Sequence, residues 1–262
     1  MNFFFKLGSK DYDYNLTIPR FTNSGQILNK LNLYSLSLIN NNLLNYWHYK
    51  KINSSDDMFF TIKKSSEGNE DFFFLGSENI CNNLFNADKT EIKPIYNFLN
   101  THPPFRSNTK ILKKNLGFSS YQSDYPISMI NKKGSIVSPI ETLLNDNAET
   151  NKIFFVNIYY KPIKENFRYY LINYKTKKII FSDLIFTNTV NEISINKEYI
   201  KKDIFFVTKK YIGIPIYFSD KMGHLSLEHT HPPHEYVFGK NKFNIITDFK
   251  REFSEIIDKE NI

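Results

Sequence analysis

The pattern of apolar and polar positions changes character along the chain. From residue 151 onward, short runs rich in Val, Ile, Phe and Tyr recur at intervals of about ten residues. The runs 153–160, 167–174, 178–186, 203–207, 211–218 and 224–231 predict strands. Turn chemistry separates them at Lys161-Pro162, Lys175-Thr176, Asn188 and Lys221-Met222-Gly223. This spacing predicts an antiparallel meander. The first run is apolar at both parities, Ile153-Phe154-Phe155-Val156-Asn157-Ile158-Tyr159-Tyr160, so both faces of its sheet should be covered. The period then lengthens. Ile246, Phe249, Phe253, Ile256 and Ile257 fall on one helical stripe, predicting a C-terminal amphipathic helix packed on the sheet close to run 224–231.

The first 150 residues are less regular. A strand over 2–7 should end at Gly8-Ser9. Ser24 is placed to cap a helix through Gln26, Ile27, Leu28 and Leu31, and from Leu31 the pattern turns to alternation (Leu31, Leu33, then Leu36, Leu38), which leaves helix and strand both open. Trp47-His48-Tyr49 reads as a half-buried aromatic anchor. Met58–Ile62 and Asp71–Leu75 predict a hairpin, residues 78–100 short helical fragments, and 105–127 a loop-rich crossing. The fold class is therefore α+β and β-rich, in a single domain over 1–262. A subdivision into a mixed α/β, loop-rich part (1–150) and an antiparallel meander with its helix (151–262) stays open.

Composition supports a packed body. Hydrophobic residues make up 41% and aromatics 16% of the chain, with 25 Phe and 17 Tyr, which favours folding over disorder. Alanine occurs only at Ala87 and Ala148, and this palette tilts the chain toward strands. Codon usage in an AT-rich genome produces the same bias and also supplies lysine, which discounts the net charge of +7. Lysine pairs at 113–114, 132–133, 177–178, 201–202 and 209–210 fall at expected turns or strand ends. They suit solubility and edge protection better than a nucleic-acid rim. A single cysteine, Cys81, excludes an internal disulfide and a cysteine-based zinc finger, and its neighbours leave it an inert thiol. Three apolar residues before Lys6 are too few for a signal-peptide core, and no run approaches the roughly 18 apolar residues that cross a bilayer. These features predict a cytoplasmic protein without a membrane span.

Candidate chemistry gathers in one stretch, Gly223–Gly239. It holds four of the six histidines, His224, His229, His231 and His234, with Glu228 and Glu235 among them. In an extended strand, Leu225, Leu227, His229 and His231 share one face and His224, Ser226, Glu228 and Thr230 the other. The leucines point the first face inward, toward the strand end at Pro232-Pro233. His229 and His231 are then candidate ligands of a divalent metal (zinc, iron or manganese), with His234 or Glu235 as the third. Glu228 or His224 would be a hydrogen-bond partner or general base. Histidines beside prolines equally well cap strand ends or stack on aromatics. Thr101-His102-Pro103-Pro104 echoes Thr230-His231-Pro232-Pro233, but the flanking residues differ.

Gly223, His229, His231 and Glu235 resemble the first metal motif of the cupins, which implies a metal held in a β-barrel. The closing glycine of that motif should fall six residues after the glutamate, and Gly239 comes too early. His229-Thr-His231-Pro232 is similar to the zinc motif of JAB/MPN-type metalloproteases, yet Gly239 and Lys242 stand where that family has serine and aspartate. His224-Leu-Ser-Leu resembles half of a two-histidine phosphoesterase signature, without its second copy. These partial resemblances assign no family. The leading expectation is a β-rich binding module of viral or mobile-element type, with a protein or a small molecule as partner ahead of nucleic acid. The alternative is a metal-dependent hydrolase or oxygenase with its site at 224–235.

Overall fold

The computed structural model describes residues 2–20, 31–40, 44–53, 58–63, 70–93, 107–229 and 239–260. The helix expected after Ser24 and both Thr-His-Pro-Pro segments lie outside them. The described residues form four antiparallel sheets with a long C-terminal helix, a β-rich α+β architecture. The chain divides into two compact units. Unit 1 comprises Met1–Lys132, Ile158–Lys164 and Asn188–Val190, and unit 2 the remainder.

Unit 1 contains β1 (Asn2–Phe5), β2 (Asp13–Pro19), β3 (Asn32–Asn40), β4 (Asn45–Ile52), β5 (Phe59–Lys63), β6 (Phe72–Gly76), the short helix α1 (Glu78–Leu84), β7 (Asn108–Lys113), β8 (Gly117–Gln122) and β9 (Asp124–Pro126). They make two sheets of order β4-β3-β6-β1-β9 and β5-β2-β7-β8. Phe4, Leu33, Phe73 and Leu75 from the first pack on Tyr14, Leu16, Ile18, Phe60 and Ile62 from the second. On the other face of the first sheet, Phe74 stacks on Tyr34 at 5.2 Å and meets Phe85, just beyond α1, at 5.9 Å. Ser77 caps α1 by accepting from the Ile80 amide.

Three expectations for this region are corrected. Met58–Ile62 and Asp71–Leu75 do not pair as a hairpin: β5 pairs with β2, while β6 lies between β1 and β3. Every residue of β6 is buried, and a strand apolar on both faces belongs at a sheet's centre. The 105–127 region is not a loop-rich crossing but carries β7, β8 and β9. In β7 just Thr109 and Ile111 are buried, too few apolar positions to mark a strand. Trp47 is 1% exposed rather than half-buried, and its indole N–H donates to the Tyr160 carbonyl at 3.0 Å.

Unit 2 contains β10 (Ile136–Pro139), β11 (Thr150–Asn157), β12 (Asn166–Asn173), β13 (Lys178–Phe186), β14 (Thr189–Ser194, whose first two residues group with unit 1), β15 (Ile204–Thr208), β16 (Ile214–Lys221), β17 (His224–Glu228) and the helix α2 (Lys242–Glu260). Its sheets run β10-β15-β12-β13 and β14-β11-β16-β17. Consecutive strands pair at the β12/β13 and β16/β17 hairpins, and the other ladders join strands distant in sequence. Phe155 of β11 meets Phe167 and Phe206 of the facing sheet at 6.1 and 5.8 Å. All but the first residue of β11 are buried, as its double apolar parity requires. β14 carries no apolar alternation that would mark it, because a polar side chain, Asn191, points inward there and is satisfied by the Phe155 and Phe186 carbonyls.

The apolar stripe of α2 docks as expected: Phe253, Ile256 and Ile257 bury against Tyr170, Ile172 and Val207. The sheet it covers is β10-β15-β12-β13, not the one holding the histidine strand. The outer face of β12 and β15 carries the aromatic and aliphatic surface that this stripe needs.

Candidate functional site

The histidine strand β17 is an edge strand joined to β16 by a two-residue turn. Met222 (φ 52°) and Gly223 (φ 88°) both adopt positive φ, the geometry of a type I′ hairpin turn. The Gly223 amide donates to Asp220 Oδ1 at 2.8 Å. Parity along the strand matches the alternation read from the residues. Leu227, opposite Phe218, is 6% exposed, while His224, opposite Lys221, and Glu228, opposite Tyr217, are exposed. His229 follows the strand's last residue and is half-buried.

His224 and Glu228 thus share a face. Four residues of strand separate them by about 13 Å, so they cannot share a proton or a metal ion. His231, His234 and Glu235 lie outside the described residues. Among the described residues, no three His, Cys, Asp or Glu side chains gather closely enough to hold a metal ion. Cys81 is buried on α1, and burial pushes its thiol pKa up, consistent with an inert thiol.

A second feature lies at one end of the β10-β15-β12-β13 sheet. A cleft of about 510 Å³ is lined by Lys133, Gly134, Phe167, Arg168, Tyr170, Lys209, Lys210, Ile257 and Asp258. The sheet register assembles it. The β12/β15 ladder ends at Tyr169 opposite Thr208, so Arg168 of β12 and Lys209, just past β15, come to the same end of the sheet. Ile136 pairs with Thr208, which brings the segment before β10, with Lys133 and Gly134, to the same end. Tyr170 and Ile257, buried together under α2, supply an apolar floor.

The electrostatics of the cleft are lopsided. Lys209 pairs with Asp258, and Lys210 pairs with Glu165. Tyr211 donates its hydroxyl to the other oxygen of Glu165. The Lys210 and Tyr211 hydrogen bonds hold the Glu165 carboxyl below its ordinary range. No carboxylate lies within ion-pair distance of Lys133 or Arg168 among the described residues. Arg168 makes one long contact, from its guanidinium to Ser182 Oγ at 3.4 Å. Four cations against two carboxylates leave a net charge of +2.

The lysine pairs 132–133 and 209–210 were visible as sequence features, but their meeting was not. Arg168 carried no signal, being one cation in an otherwise aromatic strand. The fold and cleft together define a two-unit, antiparallel β-rich protein with a cationic recess in its C-terminal unit. Compared with known proteins, the chain matches no family model, no curated protein and no solved structure. No helix among the described residues is long and apolar enough to cross a membrane.

Proposed function

We propose that this protein is a binding module, and that the cleft at the end of the β10-β15-β12-β13 sheet receives an anionic ligand. The observation that carries the reading is the surplus of positive charge over an apolar floor, with no carboxylate within ion-pair distance of Lys133 or Arg168 among the described residues. The size of the recess falls within the range typical of small-molecule sites. Its carboxylates favour binding over proton transfer. Glu165 is held ionised by two hydrogen bonds, whereas a general acid or base works best with a pKa near the working pH.

Calorimetric titration of the purified chain with sulfate, phosphate and citrate tests this reading. Heat that saturates and weakens as ionic strength rises is the expected result. Absence of any anion binding overturns it. Elemental analysis addresses the alternative, a metal-dependent enzyme with its site at 224–235. Stoichiometric zinc, iron or manganese, lost in His229→Ala and His231→Ala, would establish that function instead.

A further inference from the structure

The charge and shape of the same cleft select among anions. We infer that its ligand is a small phosphomonoester, with the phosphate held by Lys133, Arg168 and Lys210 and the organic part lying on the apolar floor. The inference rests on the anion-binding reading above and specifies the ligand class.

Charge is the first argument. A phosphomonoester concentrates about −1.5 to −2 on one centre at neutral pH, which matches the net +2 left at the recess once Asp258 and the Lys210 partner Glu165 are counted. A single carboxylate supplies half of that, and a tricarboxylate spreads its charge over several carbons.

Donor chemistry is the second. The Arg168 guanidinium sits on a strand rather than a loop, and its one long hydrogen bond leaves most of its donors available. Such a planar fork meets phosphate oxygens in pairs, while lysines add point charge. Arg168 and Lys209 are like charges brought to one end of the sheet where the β12/β15 ladder stops. Asp258 offsets Lys209, and a bound dianion would offset Arg168.

Position is the third. The last turn of α2 brings the negative end of its dipole to Asp258 and Lys209, a poor place for an anion. This assigns the phosphate to Lys133, Arg168 and Lys210 rather than to Lys209. Inorganic phosphate alone would leave most of the 510 Å³ recess unfilled, so the volume favours an organic monoester. A nucleic-acid strand carries one charge per phosphate along an extended backbone. Here the cations are confined to one recess and bounded by Glu165 and Asp258, which disfavours a polymer.

The test titrates the full chain with adenosine monophosphate, adenosine, inorganic phosphate, citrate and a short oligothymidylate. The monophosphate is expected to bind more tightly than phosphate or citrate, and adenosine not at all. Arg168→Ala and Lys133→Ala should each weaken it by roughly ten- to a hundredfold. Arg168→Lys should fall between Arg168→Ala and the natural chain. Both side chains are exposed, so melting temperatures should be unchanged, and Lys175→Ala, exposed on another turn, serves as a control. Equal affinity for citrate and the monophosphate overturns the phosphate assignment while leaving an anion site. Binding confined to the oligonucleotide overturns the small-ligand assignment, as does monophosphate affinity indifferent to Arg168 and Lys133. Failure of every anion to bind removes the underlying reading as well.

Discussion

The hydroxyl of Ser219 donates a hydrogen bond of 2.6 Å to Oδ1 of Asn151, its directly opposed neighbour across β16 and β11. Both residues are buried, and Asn145 closes the group. The Asn151 side-chain amide donates to the Asn145 carbonyl at 2.8 Å, and the Asn145 amide donates to Ser219 Oγ at 3.0 Å. A buried polar group left without its partner loses its solvation uncompensated. Asn151→Ala is therefore expected to destabilise the fold by about 1–3 kcal/mol. Urea unfolding should show a lower midpoint at unchanged slope.

Helix α2 is held by polar as well as apolar contacts. The Tyr174 hydroxyl and Lys177 Nζ donate to Glu252 Oε2 at 3.0 and 2.7 Å. The Lys177 bond, then the Tyr174 bond, lowers the Glu252 pKa from its ordinary 4.5, and Glu252 in turn raises that of Lys177 above 10.5. A depressed carboxyl stabilises the folded state above its unfolded value and loses that contribution as pH falls through the folded one. The raised lysine contributes fully below 10.5 and loses its part as pH rises through its folded value. Thermal melts should thus show a loss below pH 4.5 that is reduced in Glu252→Gln. Both side chains are nearly half exposed, so the effect should be small and fade with salt.

What the sequence disclosed follows from the range of the interactions involved. The α2 stripe and the alternation of β17 are local periodicities, each readable within a few turns or residues. Nearness in sequence predicts a β5/β6 hairpin, but β6, apolar on both faces, requires a neighbour on each side and finds them in β1 and β3. The cleft was illegible for the same reason. Lys133, Arg168 and Lys209 belong to three segments and meet through two strand registers that no local window contains.

Gly213 marks a close approach. A Cβ there would lie 2.5 Å from both the Val156 carbonyl oxygen and Phe155 Cζ. Phe155 is fully buried between the sheets of unit 2 and cannot swing away. Gly213→Ala is expected to cost about 1–3 kcal/mol through forced displacement of β11. A lowered melting temperature with an unchanged far-ultraviolet spectrum would register it.

Asn188 organises a turn within unit 1. Its backbone is left-handed (φ 55°), a conformation asparagine tolerates better than most residues. Its Nδ2 donates to the Lys161 and Ile163 carbonyls at 2.8 and 2.9 Å, and its Oδ1 accepts from the Tyr159 amide at 2.7 Å. Asn188→Gly keeps the backbone but loses three hydrogen bonds, for about 1.5–4.5 kcal/mol at the usual net value of each. Asn188→Ala adds left-handed strain of about 1–2 kcal/mol and should be the less stable of the two. Reversal of that order in chemical denaturation would show that the side-chain bonds, not the backbone, set the turn.

The cleft makes one pH prediction whose sign depends on which partner titrates. Glu165 is held below its ordinary range by Lys210 and Tyr211, so its charge stays constant through neutral and mildly acidic pH. The titrating group is then the ligand, whose second ionisation lies near pH 6. Affinity for a phosphomonoester should fall as pH drops through about 6, while affinity for sulfate, already a dianion, should stay flat. Glu165→Gln removes the carboxylate on Lys210 and should tighten both ligands at every pH without altering that difference. If Glu165 were instead the titrating group, Glu165→Gln would abolish the pH dependence, and calorimetry on the two proteins at pH 5 and 7 separates the cases.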